Sequence, residues 1–216
     1  MGKRDFDAVL RSAARLQELV PDAVLVGGSA AVLYDHDHVQ VDLEERFDAV
    51  LEALESDPEW VLNRAVPGKI LLGNLGDIEA GVRQLIRNRP LETRREELPG
   101  GAEVTVPTAE ETLRIKAYLL VKRNQTRDYI DVAALSDRFG VEWAAGVLGS
   151  IDDYYSASRM AGDDVATQVV RQLAEPRPKD SRTTASLGTY KGLAKQWTDW
   201  TSVVQQCQRI ADAMLD

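Results

Sequence analysis

A change of pattern near residue 106 limits the folds open to this chain of 216 residues. Before it, short apolar runs set off by Gly and Pro alternate with amphipathic helical stripes; after it, every periodic segment has helical spacing. Asp5 can cap a first helix whose apolar positions Phe6, Val9, Leu10, Ala13, Leu16 and Leu19 share one stripe, with Pro21 ending it. Ala23 to Val26 reads as a buried strand, Ala30 to Tyr34 has helical composition, and Phe47, Val50, Leu51 and Leu54 mark a further helix. Trp60 to Leu62, Lys69 to Leu72 and Glu103 to Val106 read as strands. Thr108 with Glu111 is a capping box opening a helix to about Lys122, and Asn124-Gln125-Thr126 turns into a second helix, Arg127 to Leu135. A last helix is striped by Trp197, Trp200, Val204, Cys207, Ile210 and Met214. The expected class is therefore α+β, with a mixed sheet and flanking helices over residues 1–106 and a helical lobe over 107–216. Two such lobes leave a cleft, the usual place for a ligand.

With 44% hydrophobic and 28% charged residues, the composition excludes collagen, coiled coil and disorder. No apolar stretch approaches the roughly 20 residues of a membrane span. The opening Met-Gly-Lys-Arg-Asp-Phe-Asp has no apolar run behind it, so the expectation is a cytoplasmic protein without a membrane partner. The single cysteine, Cys207, can make neither an internal disulfide nor a thiolate metal site, in keeping with a reducing compartment. The formal charge of -9 is concentrated: between Asp35 and Glu59 lie ten acids and one base, Arg46, so the remainder is neutral. Three basic clusters stand out, Arg83 to Arg95, Arg114 to Arg127 and Arg177 to Lys195, each able to meet phosphate or to form a solvated helix face.

Three constellations could carry chemistry. Gly27-Gly28-Ser29 follows a strand and opens a helix, where unpaired backbone N–H groups and the Ser29 hydroxyl could receive an anion. The same turn also serves as an ordinary helix cap. In Asp35-His36-Asp37-His38, strand periodicity puts Asp35 and Asp37 on one side, the paired carboxylates that a hard divalent cation such as Mg2+ takes. Asp42-Leu43-Glu44 repeats the spacing, although Asp42 also suits the cap of the next helix. A histidine-aspartate phosphohydrolase site is excluded, because it needs a further histidine upstream and the chain has only His36 and His38. The third constellation is Lys116 with Asp131, nine and six residues either side of the turn near Gln125, hence within about one helical turn of each other in an antiparallel pair. They form either a phosphate-binding pair or a surface salt bridge.

These pieces, with "VPTAEETLRIKAYLLVKRNQTRDYIDVAALSDR" from Val106 to Arg138, resemble the nucleotidyltransferases of the AbiEii type, including the MenT toxins of toxin-antitoxin systems. The resemblance runs from about Val24 to Tyr155 and is most specific in the long segment. It implies a polymerase-β-like core and metal-dependent transfer of a nucleoside monophosphate from an NTP, with CTP or UTP favoured. On that pattern Gly28 and Ser29 bind nucleotide, Lys116 is the nucleotide-binding lysine, and Asp131 is the acid of the final motif. By local wording Asp35 and Asp37 hold Mg2+. By the count of residues after Ser29, Asp42 and Glu44 take those positions instead.

Arg83 is a candidate for triphosphate or RNA phosphate or else a solvent-exposed base, and Glu79, an isolated acid beside Gly76 and Gly81, is either a third acid or structural. The toxin branch implies the 3′ end of tRNA as acceptor and a cognate antitoxin as partner. Two other readings stay open: transfer to a small cationic molecule of aminoglycoside type, and a catalytically dead module of the same fold, motivated by the short interval from Ser29 to Asp35.

Overall fold

A computed structural model of the chain describes residues 3–21, 23–26, 37–41, 43–84, 87, 89–98, 100–155, 163–189 and 193–216; for residues 3–7, 26 and 37–41 only the backbone is described. The chain divides into two compact units, the first of Met1–Ile86 with Leu91–Thr108, the second of Arg87–Pro90 with Ala109–Asp216.

The first unit contains helix α1 (Lys3–Leu19), strands β1 (Val24–Val26) and β2 (Asp37–Val41), helix α2 (Leu43–Glu55), and strands β3 (Trp60–Val66), β4 (Ile70–Leu75), β5 (Ile78–Gln84), β6 (Thr93–Glu97) and β7 (Glu103–Pro107). Five strands form one sheet in the order β1-β2-β5-β4-β3, and β6 with β7 makes a separate antiparallel ribbon. Only β2 and β5 run parallel; the other neighbours in the sheet are antiparallel, as short loops between β3, β4 and β5 require. The turn from β3 to β4 has Lys69 N–H donating to the Val66 carbonyl at 3.0 Å, with Pro67 followed by Gly68 at φ 66°, the sequence a type II turn needs. Between β4 and β5 only Gly76 and Asp77 intervene, and Gly76 takes the positive φ of 61°.

The core of this unit joins Ala13, Leu16 and Val20 from α1, Val50 and Leu54 from α2, and the inward side of the sheet at Trp60, Leu71, Leu75, Ala80 and Val82. Gly73 sits beneath Trp60, where a Cβ would come within 2.5 Å of the Val61 carbonyl oxygen and 2.7 Å of the indole. Gln17 completes the exposed side of β7: its amide donates to the Thr105 carbonyl at 2.8 Å and accepts from Thr105 N–H at 2.7 Å. The sequence reading has no counterpart for β5 or β6. In β5 the inward residues Ile78, Ala80 and Val82 alternate with Glu79, Gly81 and Arg83, a half-buried strand made inconspicuous by small residues. β6 is Thr-Arg-Arg-Glu-Glu, and its pairing rather than its apolarity makes it a strand.

The second unit is helical: α3 (Ala109–Lys122), α4 (Thr126–Phe139), α5 (Val141–Gly149), α6 (Asp152–Tyr155), α7 (Val165–Ala174) and α8 (Trp200–Ala213), with 3-10 turns at Thr183–Thr189 and Lys195–Thr198. Its core gathers Leu113, Ala117 and Leu120 of α3, Tyr129, Val132 and Ala133 of α4, Leu148, Val169, Leu173, and Val203, Cys207 and Ile210 of α8. The stripe expected on the last helix is displaced. Val203, Gln206, Cys207, Ile210 and Ala211 are its buried positions, while Trp197 belongs to the preceding 3-10 turn. A glutamine can occupy that face because Gln206 donates to the Ser136 hydroxyl at 3.0 Å inside the core. One bond of the expected capping box is replaced: Thr108 N–H donates to the Glu92 carbonyl at 2.9 Å, and the Glu111 carboxylate receives arginines.

Candidate functional site

Helix α3 is surrounded within its own unit, so residues around most of its circumference are buried, including the charged Glu111, Arg114 and Lys116. A buried charge needs a partner, and each of these has one. Lys116 Nζ donates to Asp131 Oδ2 at 2.6 Å, with side-chain exposures of 4% for the lysine and 20% for the aspartate. The helices meet as the turn at Asn124 to Thr126 dictates, Asn124 adopting the positive φ of 51° that asparagine tolerates best among side-chain-bearing residues. Burial removes the reading of a surface salt bridge: an exposed pair contributes about 0–1 kcal/mol, whereas this one has lost most of its water. An ammonium has three donors, and Asp131 is the acceptor for one of them. Among the described residues no other acceptor is seen at Lys116.

About one turn before Lys116 lies a second charged cluster. Glu111 is fully buried and its carboxylate is gripped by both arms of Arg87, the second at 2.9 Å, with Arg114 at 3.4 Å. Arg114 lies 4.0 Å from the centre of the Tyr154 ring, and Arg87 lies 4.9 and 5.4 Å from the centres of Tyr154 and Tyr155. Tyr155 stacks on Tyr118 at 4.0 Å, and burial pushes its phenol above the ordinary range. Two arginines on one carboxylate with aromatic faces behind them hold the start of α3 rigidly. The sequence offered Glu111 only as a cap, and Arg87 only as one member of a basic run.

The turn between α3 and α4 is strapped from the far end of the unit. Lys179 N–H donates to the Asn124 carbonyl at 2.8 Å, and the Asn124 amide donates to the Arg177 carbonyl at 2.9 Å. Asp180 accepts from Thr126 N–H at 2.7 Å and from its hydroxyl at 2.8 Å, serving as the cap that Gln125 does not supply. Burial opposes ionisation of Asp180, but these hydrogen bonds outweigh it and hold its carboxyl below the usual range. The basic run from Arg114 to Arg127 is thus largely committed: Arg114 to Glu111, Lys116 to Asp131, and Arg123 to the buried Asp128 at 2.6 and 2.7 Å. Acids that lie just outside the run, three to fifteen residues from their partners, neutralise what reads as an acid-free stretch.

In the first unit, Asp37 opens β2 and is the register partner of Ala80 on β5. Glu79 stands one residue before that partner and is exposed. Arg83 is exposed on β5 opposite Gln40. Glu44 is exposed in the first turn of α2, and its N–H donates to Gln84 Oε1 at 3.0 Å; Leu43 N–H donates to the same oxygen, so Gln84 caps α2 from the neighbouring strand. Gly28, Ser29, Asp35 and Asp42 lie outside the described residues, as does the proposed helix from Ala30 to Tyr34. Among the described residues no three His, Cys, Asp or Glu side chains gather as metal ligands. A pocket of about 640 Å3 in the second unit is lined by Asp137, Gln196, Trp197, Gln206 and Arg209 among others, and shares no residue with the Lys116–Asp131 pair.

No protein-family profile matches the chain. Over 98% of its length it is 34% identical to the heme uptake protein MmpL11 of Mycobacterium tuberculosis and 32% identical to the mycolic acid-containing lipids exporter MmpL11 of Mycolicibacterium smegmatis. The chain spans only 23% and 22% of the length of those relatives. Among solved structures, it is similar to a protein from H. pylori assigned as a nucleotidyltransferase, with a TM-score of 0.55 and 11% identity, covering 99% of this chain and 96% of that one. It is also similar to MenT4, a nucleotidyltransferase toxin from Mycobacterium tuberculosis, with a TM-score of 0.56 and 15% identity over 96% of this chain and 84% of that one. No described helix is long and apolar enough to cross a membrane. The α+β fold expected from the sequence is therefore the observed one, and it is similar to that of nucleotidyltransferases.

Proposed function

We propose that this chain is a nucleotidyltransferase that moves a nucleoside monophosphate from an NTP, CTP or UTP by resemblance, onto the 3′ end of tRNA, as the toxin of a toxin-antitoxin pair. The observation that carries the reading is the buried Lys116–Asp131 pair in a fold similar to nucleotidyltransferases. In this reaction the acceptor hydroxyl oxygen attacks the α-phosphorus, the bond from that phosphorus to the bridging oxygen breaks, and pyrophosphate leaves. Lys116 would direct its remaining donors to the phosphates, and Asp131 would hold the ammonium in place. Ser29 with the Gly28 backbone, and Arg83, would contact the triphosphate. Asp35 and Asp37 would hold Mg2+, with Asp42 and Glu44 as the alternative set; carboxylate oxygens are the donors that ion takes. When bound, it supplies charge neutralisation at the leaving pyrophosphate and lowers the pKa of the attacking hydroxyl.

The test incubates the protein with each α-labelled NTP, total tRNA and Mg2+, followed by a denaturing gel. Labelled tRNA from wild type, lost in Asp37→Ala and in Lys116→Ala, is the expected result. Full activity of Asp37→Ala with an inactive Asp42→Ala moves the metal site to Asp42 and Glu44. Absence of transfer to tRNA with transfer to an aminoglycoside would select the small-molecule reading.

The sequence match motivates a second reading, that the chain is an accessory domain related to part of MmpL11 and works in uptake or export rather than in nucleotide transfer. Titration with hemin tests one arm of it: a saturable shift of the Soret band, with no NTP turnover, would favour it.

A further inference from the structure

β3 is the last strand of the five-stranded sheet, and among the described residues no strand pairs with its outer edge. Its residues 61–65 are all exposed, so both of its faces are uncovered as well as its edge. Val61 and Leu62, at 60% and 36%, are two of the few large apolar side chains exposed among the described residues. An exposed edge of seven residues offers a row of backbone donors and acceptors about 23 Å long at roughly 3.3 Å per residue, ready to template another strand.

The surroundings say which strand. Helix α2 packs Val50 and Leu54 into the same core as Trp60, Leu71 and Leu75, and exposes Glu45, Asp48, Glu52 and Glu55; Glu59, before the strand, is already paired with Arg15 at 2.6 Å. A second copy of this chain is a poor occupant. Twofold pairing of edge with edge keeps both α2 helices on one side of the joined sheet and sets acids against acids. A register shift between Leu62 and Arg64, where Asn63 bulges and donates to Asn74, restricts pairing further, and Arg64 is the lone base on the strand.

We propose that the β3 edge is a docking site for an extended segment of another protein, one that alternates lysine or arginine with apolar residues. Its backbone adds a sixth strand, its basic side chains, on the sheet face that carries α2, meet the helix's acids, and its apolar ones, on the opposite face, cover Val61. This inference stands on the sheet edge and does not depend on nucleotide transfer.

The probe is a fluorescein-labelled Lys-Val-Lys-Val-Lys-Val-Lys peptide, read by fluorescence anisotropy, with hydrogen exchange of the full chain. Binding is expected, with new protection of alternate β3 amides and no change in β4. Glu52→Lys with Glu55→Lys should weaken it at least about tenfold, and a peptide with Glu in place of Lys should not bind. The same peptide methylated at alternate backbone nitrogens keeps its charge and should lose binding. Equal binding of the methylated peptide would reduce the effect to charge attraction and overturn the proposal. So would binding without protection of β3, or a β3-protected dimer of the chain alone by analytical ultracentrifugation.

Discussion

Breaking the Lys116–Asp131 pair one side at a time should destabilise the protein unequally, because the two side chains are not equally buried. Lys116→Met keeps the stem and removes the ammonium; it leaves a carboxylate with 20% exposure, which water can reach. Asp131→Leu leaves an ammonium at 4% exposure with its only described acceptor gone. Orphaning one member of a buried pair costs about 3–5 kcal/mol. The exposure of Asp131 places Lys116→Met below that range, at about 1–3 kcal/mol, and Asp131→Leu within it. For a chain of this size about 1 kcal/mol moves Tm by roughly 2–4 °C, so the aspartate variant should melt about 6 °C or more below wild type. The double variant replaces the pair by apolar groups and should return to within about 1 kcal/mol of wild type, while binding no NTP. Urea denaturation of all four proteins closes the cycle. If each single variant costs less than about 1 kcal/mol, or if the double costs the sum of the two, the pair is solvated and the argument from burial fails.

Gly73→Ala should cost about 1–3 kcal/mol or more, since the new methyl group would overlap the Val61 carbonyl and the Trp60 indole; a denaturation midpoint equal to wild type would show that the β3 edge gives way. Cys207, whose thiol burial pushes up to about 12, should resist thiol reagents at pH 8 until the chain unfolds, and its contribution to stability should be complete below about pH 9 and lost as pH rises toward 12; fast labelling of the native protein contradicts this. Asp180 has a lowered pKa, so its share of stability is present above about pH 4 and lost as pH falls through the folded value. Asp180→Asn should flatten that part of the stability profile, measured by urea melts between pH 3 and 6, and an unchanged slope would remove Asp180 as the ionised cap.

Local signals in the sequence were enough for the order of elements and for one pair. A heptad-like stripe such as Val9, Ala13, Leu16, or a turn such as Pro67-Gly68, is decided by neighbours within a few residues, and those elements lie where their periodicity puts them. Lys116 and Asp131 were legible together because one short turn joins their helices and the rise per residue fixes how far each lies from it. Everything that depends on a partner distant in sequence was invisible. Glu111 reads as a cap because its nearest suitable N–H is three residues back, yet Arg87, 24 residues upstream, claims it in the folded chain. The basic run from Arg114 to Arg127 reads as a phosphate surface because the acids that neutralise its members lie on other turns or other helices. Asp180 caps α4 from 54 residues away, and Gln84 accepts from the first N–H groups of α2 from 40 residues away, partners that reading along the chain does not reveal. Buried charges must be paired, but the sequence states only that they exist; the tertiary structure chooses the partner, because only there are desolvation and distance set together.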